Sequence, residues 1–295
     1  LVSTGTAANS LALACLSKPW DTIFCSPISH LHQDECNAPE FYTGGAKLTL
    51  VGQSDKINPD ELLTAMLSEE TRGIHGPQRG PVSITQITEK GRCYRLEEIH
   101  QISKIKSKFS SQLHMDGARF ANALLALNCS PAEMTWKAGV DAVTFGCTKN
   151  GLLEVEAVIF FNSKHAQEFE LRRKRAGHLS SKNRYLAAQM LGYLDNNLWL
   201  ELAKSSNAMA AKLSAFFESV PYVKLHHRPE ANMIFADMPR KLHHHFFKAG
   251  AKYYLRNGSL NGNEDELITG RFVCSWSTTE EDIDAFIAAA QKVIS

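Results

Sequence analysis

The sequence predicts an α/β protein with a largely parallel sheet, followed by a smaller α+β region. Two observations lead to this prediction. Over the first part of the chain, short apolar runs bounded by turn residues alternate with segments of helical periodicity. From about residue 166 the pattern changes to a long helical stretch and then to short strands and helices. We therefore divide the chain into a large domain, residues 1–165, and a C-terminal region, residues 166–295, with a linking helix and a small α+β domain.

Each predicted element has its own pattern. In the large domain, apolar runs between turn residues predict strands at 22–26, 47–51, 81–85, 112–115, 142–145 and 157–161. Helical periodicity predicts helices at 9–16, 59–67 and 117–127. In the C-terminal region it predicts a helical stretch through residue 217, strands at 222–225, 233–237 and 271–276, and helices at 240–249 and after 279. Ligands of parallel sheets bind beyond the carboxyl ends of the strands, so we expect the functional site there.

Composition excludes several classes of protein. Hydrophobic residues make up 44% and charged residues 21% of the chain, as in an ordinary globular protein. A net charge of +1 gives no reason to expect nucleic acid or a membrane surface as a partner, and the basic cluster at 172–175 is better explained as a solvated or interface face. The consecutive histidines at 243–245 point in different directions on a helix, so no metal site is predicted. Seven cysteines without paired spacing favour reduced thiols and a cytoplasmic location.

The most informative segment is 141–151, DAVTFGCTKNG, which places Lys149 among small and hydroxylated residues after an apolar run. A lysine that loses solvation there has a lowered pKa and can attack a carbonyl to form a Schiff base. A solvated lysine at a strand end is the alternative. Three further segments favour the first interpretation, because they supply what a pyridoxal phosphate (PLP) site needs.

The first of these segments, 3–9, places Gly5, Thr6 and Ala7 at the start of a helix, where backbone amides can bind a phosphate group. An ordinary capped turn is the alternative. In the second segment, 113–119, Asp116 follows an apolar strand and could pair with a protonated pyridine nitrogen. Alternatively, Asp116 caps the helix predicted from residue 117.

Histidines supply the third part of the pattern. In the segment 29–35, His30 could stack on a cofactor ring, and His32 competes for that role. His75 lies in a loop rich in glycine and proline, where functional residues often occur. We interpret His114 as a hydrogen-bonded histidine at a strand end and not as a catalytic group.

Together these segments resemble the low-specificity L-threonine aldolases and β-eliminating lyases, PLP enzymes of the aspartate-aminotransferase fold type I. The similarity runs from residue 1 to the C-terminal helix, with its motifs in the same order. These motifs are GTAAN at 5–9, DECNAPEFYTGG at 34–45, HMDGAR at 114–119, FGCTKNG at 145–151 and GHLSSK at 177–182.

The resemblance implies a role for each matching residue. Lys149 corresponds to the Schiff-base lysine and Asp116 to the partner of the pyridine nitrogen. His30 corresponds to the histidine that stacks on the ring and takes part in proton transfer, and Arg119 to an arginine near the cofactor oxygen and the substrate carboxylate. Arg271 corresponds to the arginine that pairs with the substrate α-carboxylate.

Two further positions are implied by the resemblance. His75 corresponds to a histidine near the substrate hydroxyl, and Arg184 to an arginine that reaches a neighbouring subunit's site. Members of the family carry additional residues before the phosphate turn, so we expect that an N-terminal segment precedes Leu1. A homodimer or homotetramer is implied as well.

The implied activity is PLP-dependent cleavage of L-threonine, L-allo-threonine and similar β-hydroxy-α-amino acids to glycine and an aldehyde. Phenylserine cleavage or β-elimination on the same scaffold is the alternative. A non-catalytic relic that serves as an interaction protein is a third hypothesis, from a different class, and loss of Lys149 or Asp116 would have favoured it.

Overall fold

The computed structural model describes residues 1–69 and 71–294. Among them, no helix is both long and apolar enough to cross a membrane. The described residues form two compact units. The first contains Leu1–Glu89 and Cys93–Trp199, and the second contains Lys90–Arg92 and the chain from Leu200 onward.

The first unit is built on a six-stranded sheet. Its strands are β1 (Asp21–Cys25), β2 (Lys47–Leu50), β3 (Gln78–Thr85), β4 (Leu113–Gly117), β5 (Ala142–Gly146) and β6 (Glu156–Phe160). Their order is β2-β1-β3-β4-β5-β6, and all neighbours are parallel except β5 and β6. Strands β1, β4 and β5 are buried along their whole length, as is typical of parallel strands that are covered on both faces. The largely parallel sheet predicted from the sequence is confirmed.

Helices of the first unit connect or flank these strands. They are α1 (Gly5–Leu16), α2 (His30–Gln33), α3 (Ala38–Thr43), α4 (Pro59–Ser68), α5 (Leu96–Lys108), α6 (Phe120–Leu127), α7 (Pro131–Met134), α8 (Ala166–Arg175) and α9 (Arg184–Leu194). Helix α1 is buried from Ala7 to Leu16. Its residues pack with Val2 and with Phe169 of α8 in one apolar cluster, so α8 belongs to the core of this unit.

The second unit is an antiparallel sheet with helices. Its strands are β7 (Lys224–Leu225), β8 (Met233–Pro239), β9 (Tyr254–Arg256) and β10 (Leu267–Val273), in the order β7-β8-β10-β9. Its helices are α10 (Leu198–Glu218), α11 (Arg240–Lys248) and α12 (Glu280–Ile294). Phe217, Phe246 and Phe272 lie at the centre of its core. This is the small α+β arrangement predicted from the sequence.

The two units divide later than the boundary that the sequence predicts at residue 165. The division falls after Trp199, within the first turn of α10. Helices α8 and α9 therefore belong with the first unit. Phe169 packs in its core, and Tyr193 on α9 accepts a hydrogen bond from Asn150 at 2.6 Å.

Candidate active site at the carboxyl edge of the parallel sheet

Two of the predicted PLP-binding residues, Asp116 and Lys149, lie at the carboxyl edge of the sheet in the first unit. Asp116 lies near the end of β4, and Lys149 follows the end of β5 by three residues. The two strands are neighbours, with Asp116 opposite Thr144 in the register. This edge is the position at which open parallel sheets bind their ligands.

Asp116 is a buried carboxylate without a cationic partner. Its side chain is 2% exposed. Oδ1 accepts a hydrogen bond from the Ala118 amide at 3.0 Å, and Oδ2 accepts one from Asn9 Nδ2 at 3.0 Å. No ion pair to Asp116 exists among the described residues. Because a buried charge needs a compensating partner, this site fits a ligand with a cationic nitrogen, such as protonated pyridine. The alternative role as a helix cap is wrong, since α6 begins at Phe120 with Arg119 as its N-cap.

Lys149 lies on a short 3-10 turn, Thr148–Asn150, that is fixed on both sides. Before it, the Cys147 amide donates to Glu156 Oε2 at 2.7 Å. After it, Asn150 Nδ2 donates to the Tyr193 hydroxyl and, at 2.8 Å, to the Trp199 carbonyl. The anchored turn therefore holds the lysine backbone in place.

The surroundings of Lys149 favour its neutral form. Loss of solvation is the largest cause that lowers the pKa of its amine, followed by the positive charge of Arg119. The carboxylates of Asp116, Glu89 and Glu156 act in the opposite direction but do not cancel the effect. Lys149 as a whole is nevertheless an exposed residue. A lowered pKa is the property expected of a lysine that attacks a carbonyl group.

The phosphate-binding turn lies at the N-terminus of α1. The helix begins at Gly5, and not at residue 9 as predicted, because Thr4 is its N-cap. Thr4 Oγ1 accepts a hydrogen bond from the Ala7 amide at 3.1 Å, so of the three predicted amides that of Ala7 already has an acceptor. Those of Gly5 and Thr6 have no acceptor within the helix, and the space beside Gly5 is open. Both amides are suited to an anion at this position.

His30 begins helix α2 and is hydrogen-bonded to a buried carboxylate. His30 Nδ1 lies 2.8 Å from Glu35 Oε1, with side-chain exposures of 28% and 0%. The same Glu35 oxygen accepts a hydrogen bond from Asn9 Nδ2 at 3.0 Å. His32, the competing residue, is exposed, and its ring makes no hydrogen bond within the described part of the chain.

The protonation states of His30 and Glu35 depend on each other. The hydrogen bond to Glu35 is the largest cause that raises the pKa of His30, and the negative charges of Asp116 and Glu89 raise it further against the effect of burial. Burial is the largest cause that raises the pKa of Glu35, and Asp116 adds to it. Both pKa values move upward, so the pair retains its shared proton to higher pH than an isolated histidine would.

His114 is a structural residue, as predicted. It is completely buried in β4, with Nδ1 2.9 Å from Ser83 Oγ and Nε2 3.2 Å from Thr144 Oγ1. Burial lowers its pKa to about 4, so the ring is neutral at physiological pH. A neutral imidazole between two hydroxyl groups stabilises the packing of three neighbouring strands.

Four predicted residues remain. Arg119 is buried three residues after Asp116, and its positive charge lowers the pKa of Lys149. His75 lies on an exposed 3-10 turn and makes no side-chain hydrogen bond within the described part of the chain. Arg271 lies on β10 of the second unit. Arg184 is exposed at the start of α9, with its guanidinium 5.4 Å from the ring centroid of Tyr185.

Three residues at this site were not singled out from the sequence: Asn9, Glu35 and Glu156. Asn9 belongs to the predicted phosphate-turn motif, but the neighbouring sequence does not indicate that Asn9 is buried or that it contacts two carboxylates. Glu156 is buried opposite Gly146 in the sheet and fixes the turn of Lys149. No group of histidine, cysteine or carboxylate side chains in residues 1–69 and 71–294 is arranged to hold a metal ion.

Gly146 allows β5 to approach the turn that carries Asp116. An added Cβ at this position would lie 2.6 Å from both the Cα and the carbonyl oxygen of Ala118, which are backbone atoms. We expect that Gly146→Ala lowers the free energy of unfolding by about 1–3 kcal/mol, because the turn must shift. Gly192→Ala is the matched control, since no atom lies within 4 Å of its added Cβ on helix α9. Urea unfolding of both variants measures the difference, and equal stability of the two would contradict the close approach.

Structural comparison assigns the fold class. Threonine aldolase from Leishmania major superposes with a TM-score of 0.90 at 25% identity, covering 100% of this chain and 83% of that chain. A PLP-bound putative aminotransferase from Clostridium difficile superposes with a TM-score of 0.68 at 14% identity, covering 100% of this chain and 77% of that chain. The fold is that of the fold-type-I PLP-dependent enzymes.

Sequence comparison assigns the family. The profile of the Beta-eliminating lyase family matches residues 1–240. A low specificity L-threonine aldolase from Pseudomonas sp. (strain NCIMB 10558) is 40% identical over 292 residues, which are 99% of this chain and 82% of the relative. One from Pseudomonas aeruginosa is 41% identical over 281 residues, 95% of this chain and 78% of the relative. The chain belongs to the beta-eliminating lyase family, and the resemblance found in its motifs is confirmed.

Proposed function

We propose that this protein is a PLP-dependent lyase that cleaves L-threonine, L-allo-threonine and similar β-hydroxy-α-amino acids to glycine and an aldehyde. The observation that carries the proposal is the buried, cation-free carboxylate of Asp116 at the same sheet edge as Lys149, whose pKa is lowered. The family and the names of the two Pseudomonas relatives support the same chemistry.

Each part of the cofactor has residues suited to hold it. Lys149 would bind its aldehyde carbon, Asp116 its ring nitrogen, and the amides of Gly5 and Thr6 its phosphate group. His30 would lie against its ring. When bound, PLP supplies an electron sink for the pair of electrons released at the substrate α-carbon.

The chain's own residues supply orientation and proton transfer. Asp116 keeps the ring nitrogen protonated, because its buried carboxylate is compensated only by a cation. His30, or a water molecule held by His75, accepts the proton of the substrate hydroxyl. The guanidinium of Arg271 binds the substrate α-carboxylate in a bidentate manner, with Arg119 near the same end of the substrate.

The test is to measure the products that the protein forms from L-threonine when PLP is added. We expect glycine and acetaldehyde in equal amounts. Release of ammonia with 2-oxobutanoate would instead identify the alternative, β-elimination, and preferential turnover of phenylserine in competition would identify an aryl substrate. If no substrate is consumed by the PLP-loaded protein, the proposal fails and the hypothesis of a non-catalytic relic replaces it.

The role proposed for Arg271 predicts a selective loss of substrate affinity. In Arg271→Lys the positive charge stays but the bidentate geometry is lost, so we expect KM for L-threonine to rise about 10- to 100-fold with a smaller change in kcat. Arg256→Lys, on the neighbouring strand β9 and exposed, is the matched control and is expected to leave KM unchanged. An unchanged KM in the Arg271 variant would remove this residue from the substrate site.

Two further parts of the proposal concern the oligomeric state and the cellular location of the enzyme. We infer a homodimer or homotetramer, as the resemblance implies, and light scattering on the purified protein would measure it. A monomer would contradict this inference. A cytoplasmic location is supported by the cysteines, all seven of which are free thiols in the described residues.

A further inference from the structure

Four side chains form one hydrogen-bonded chain across the proposed active site: His30, Glu35, Asn9 and Asp116. The distances are 2.8 Å from His30 Nδ1 to Glu35 Oε1, and 3.0 Å from Asn9 Nδ2 to both Glu35 Oε1 and Asp116 Oδ2. All but His30 are at least nine-tenths buried. This series of hydrogen bonds connects His30, which is proposed to transfer protons, with Asp116, which is proposed to hold the ring nitrogen.

Asn9 joins the two carboxylates with its neutral amide. Because both neighbours are acceptors, the NH₂ group of Asn9 must face them, and each of its two N–H bonds serves one carboxylate. Its buried Oδ1 is left without a hydrogen-bond partner among the described residues. An unsatisfied buried oxygen costs about 1–3 kcal/mol, so this arrangement is not explained by stability alone.

Glu35 is directed inward by an unusual turn. Cys36 and Asn37, which follow it, both have left-handed backbone conformations, with φ of 49° and 59°. Such conformations are uncommon for residues other than glycine, although asparagine adopts them more readily than most. The Glu35 carboxylate is buried, and its second oxygen, Oε2, has no hydrogen-bond partner in the described part of the molecule. As with Asn9, the Glu35 side chain is held in a position that leaves one of its buried oxygens without a hydrogen-bond partner. This position does not favour stability.

We propose that Glu35 is a positioning residue for His30: its carboxylate holds the imidazole proton on Nδ1, leaves Nε2 to exchange protons with the substrate, and is coupled through Asn9 to Asp116. The inference rests on the proposed function in that it assigns the proton exchange to His30. Histidine tautomers are set in this way by the hydrogen bond at the other ring nitrogen.

The charge of Glu35 has a predictable effect on His30. Three carboxylates act on the imidazole and raise its pKa: Glu35 by its hydrogen bond, and Asp116 and Glu89 through their charge. A neutral amide at position 35 weakens this hydrogen bond and removes the negative charge of Glu35, both of which raise the pKa of His30. His30 then loses its proton at lower pH and becomes a weaker base, so the acidic limb of the kcat profile moves to lower pH.

Glu35→Gln tests the proposal, because glutamine keeps the size of the side chain and an oxygen acceptor but removes the charge. We expect kcat for L-threonine to fall about 10-fold at the optimum, with KM little changed, and the acidic limb to move to lower pH. Glu69→Gln, at another buried glutamate of the first unit, is the matched control and is expected to leave the profile unchanged. An unaltered pH profile and kcat in the Glu35 variant would overturn the proposal.

A measurement on the unmodified protein keeps the proposal testable if the variant does not fold. Nitrogen-15 NMR of the histidine rings, with and without PLP, reports the tautomer and pKa of His30, and His30→Asn identifies its signal. We expect the proton on Nδ1 and a pKa above that of an unperturbed histidine. A neutral ring protonated on Nε2 would overturn the proposal. This readout does not depend on turnover, so failure of threonine cleavage with the expected tautomer would reject the proposed function alone.

Discussion

Lys149→Ala is expected to abolish covalent cofactor binding and threonine cleavage together. The lysine amine is the group at this sheet edge whose lowered pKa makes it a nucleophile toward an aldehyde. We expect turnover to fall by at least about 1,000-fold, because losing a covalent nucleophile is among the largest single effects in enzymes. The fold should be retained, since Lys149 makes no hydrogen bond or ion pair with the described residues and its turn is held by Asn150 and Glu156.

Two measurements check this expectation. Borohydride reduction of the PLP-loaded protein, followed by peptide mass spectrometry, should locate the cofactor on the peptide that contains Lys149. Lys164→Ala, at an exposed lysine after β6, is the control and should retain both labelling and activity. Cofactor attached to another lysine, or a Lys149 variant that cleaves threonine at the parent rate, would show that the central assignment is wrong.

Asp116→Asn is expected to have the second largest effect. The substitution preserves shape but removes the buried charge that keeps the ring nitrogen protonated. It also places a second NH₂ group against the amide of Asn9, which donates to this carboxylate at 3.0 Å. We expect kcat to fall about 100- to 1,000-fold, as for the loss of other preorganised electrostatic contacts.

The control for this variant is Asp141→Asn at the opposite edge of the sheet. Asp141 precedes β5, accepts a hydrogen bond from the Leu113 amide at 2.7 Å and pairs with Lys106 at 2.5 Å. Its loss should lower the melting temperature but leave kcat per folded molecule nearly unchanged. If Asp116→Asn kept full kcat with PLP bound, the carboxylate would have no role in stabilising the charge on the ring.

The sequence predicts β1, β4 and β5 well, and each of these strands is buried along its whole length. Short apolar stretches between turn residues locate them, although polar residues such as Asp21, His114 and Asp116 interrupt the runs. The order of strands in the sheet has no local signal, since it depends on contacts between distant segments. The short strand β9 and the small helices α2 and α3 were not predicted, because elements of three to six residues have too little periodicity.

The beginnings of two helices differ from the predictions for a physical reason. Helix α1 starts at Gly5 because Thr4 caps it, which makes the phosphate-turn motif part of the helix itself. Helix α6 starts at Phe120, three residues later than predicted, because the Asp116 carboxylate accepts a hydrogen bond from the Ala118 amide and shapes a turn. Local hydrogen bonds from side chains, a cap in α1 and a turn before α6, decide helix boundaries that periodicity leaves open.

The candidate site was predictable only in part. Lys149, Asp116 and His30 belong to local motifs whose residue types suggest their chemistry. Asn9 and Glu35 do not, because their hydrogen bonds span 26 residues from Asn9 to Glu35 and 107 residues from Asn9 to Asp116. These buried hydrogen bonds form only when the fold brings distant segments together, so no single motif predicts them.

The most direct test of the account is the visible absorption spectrum of the purified protein with added PLP, before and after glycine is added. We predict the band of lysine-bound cofactor, and on addition of glycine a new band at longer wavelength that reports charge at the glycine α-carbon. The band of lysine-bound cofactor should be absent in Lys149→Ala. No visible band in the unmodified protein would contradict the assignment of this sheet edge as a PLP site.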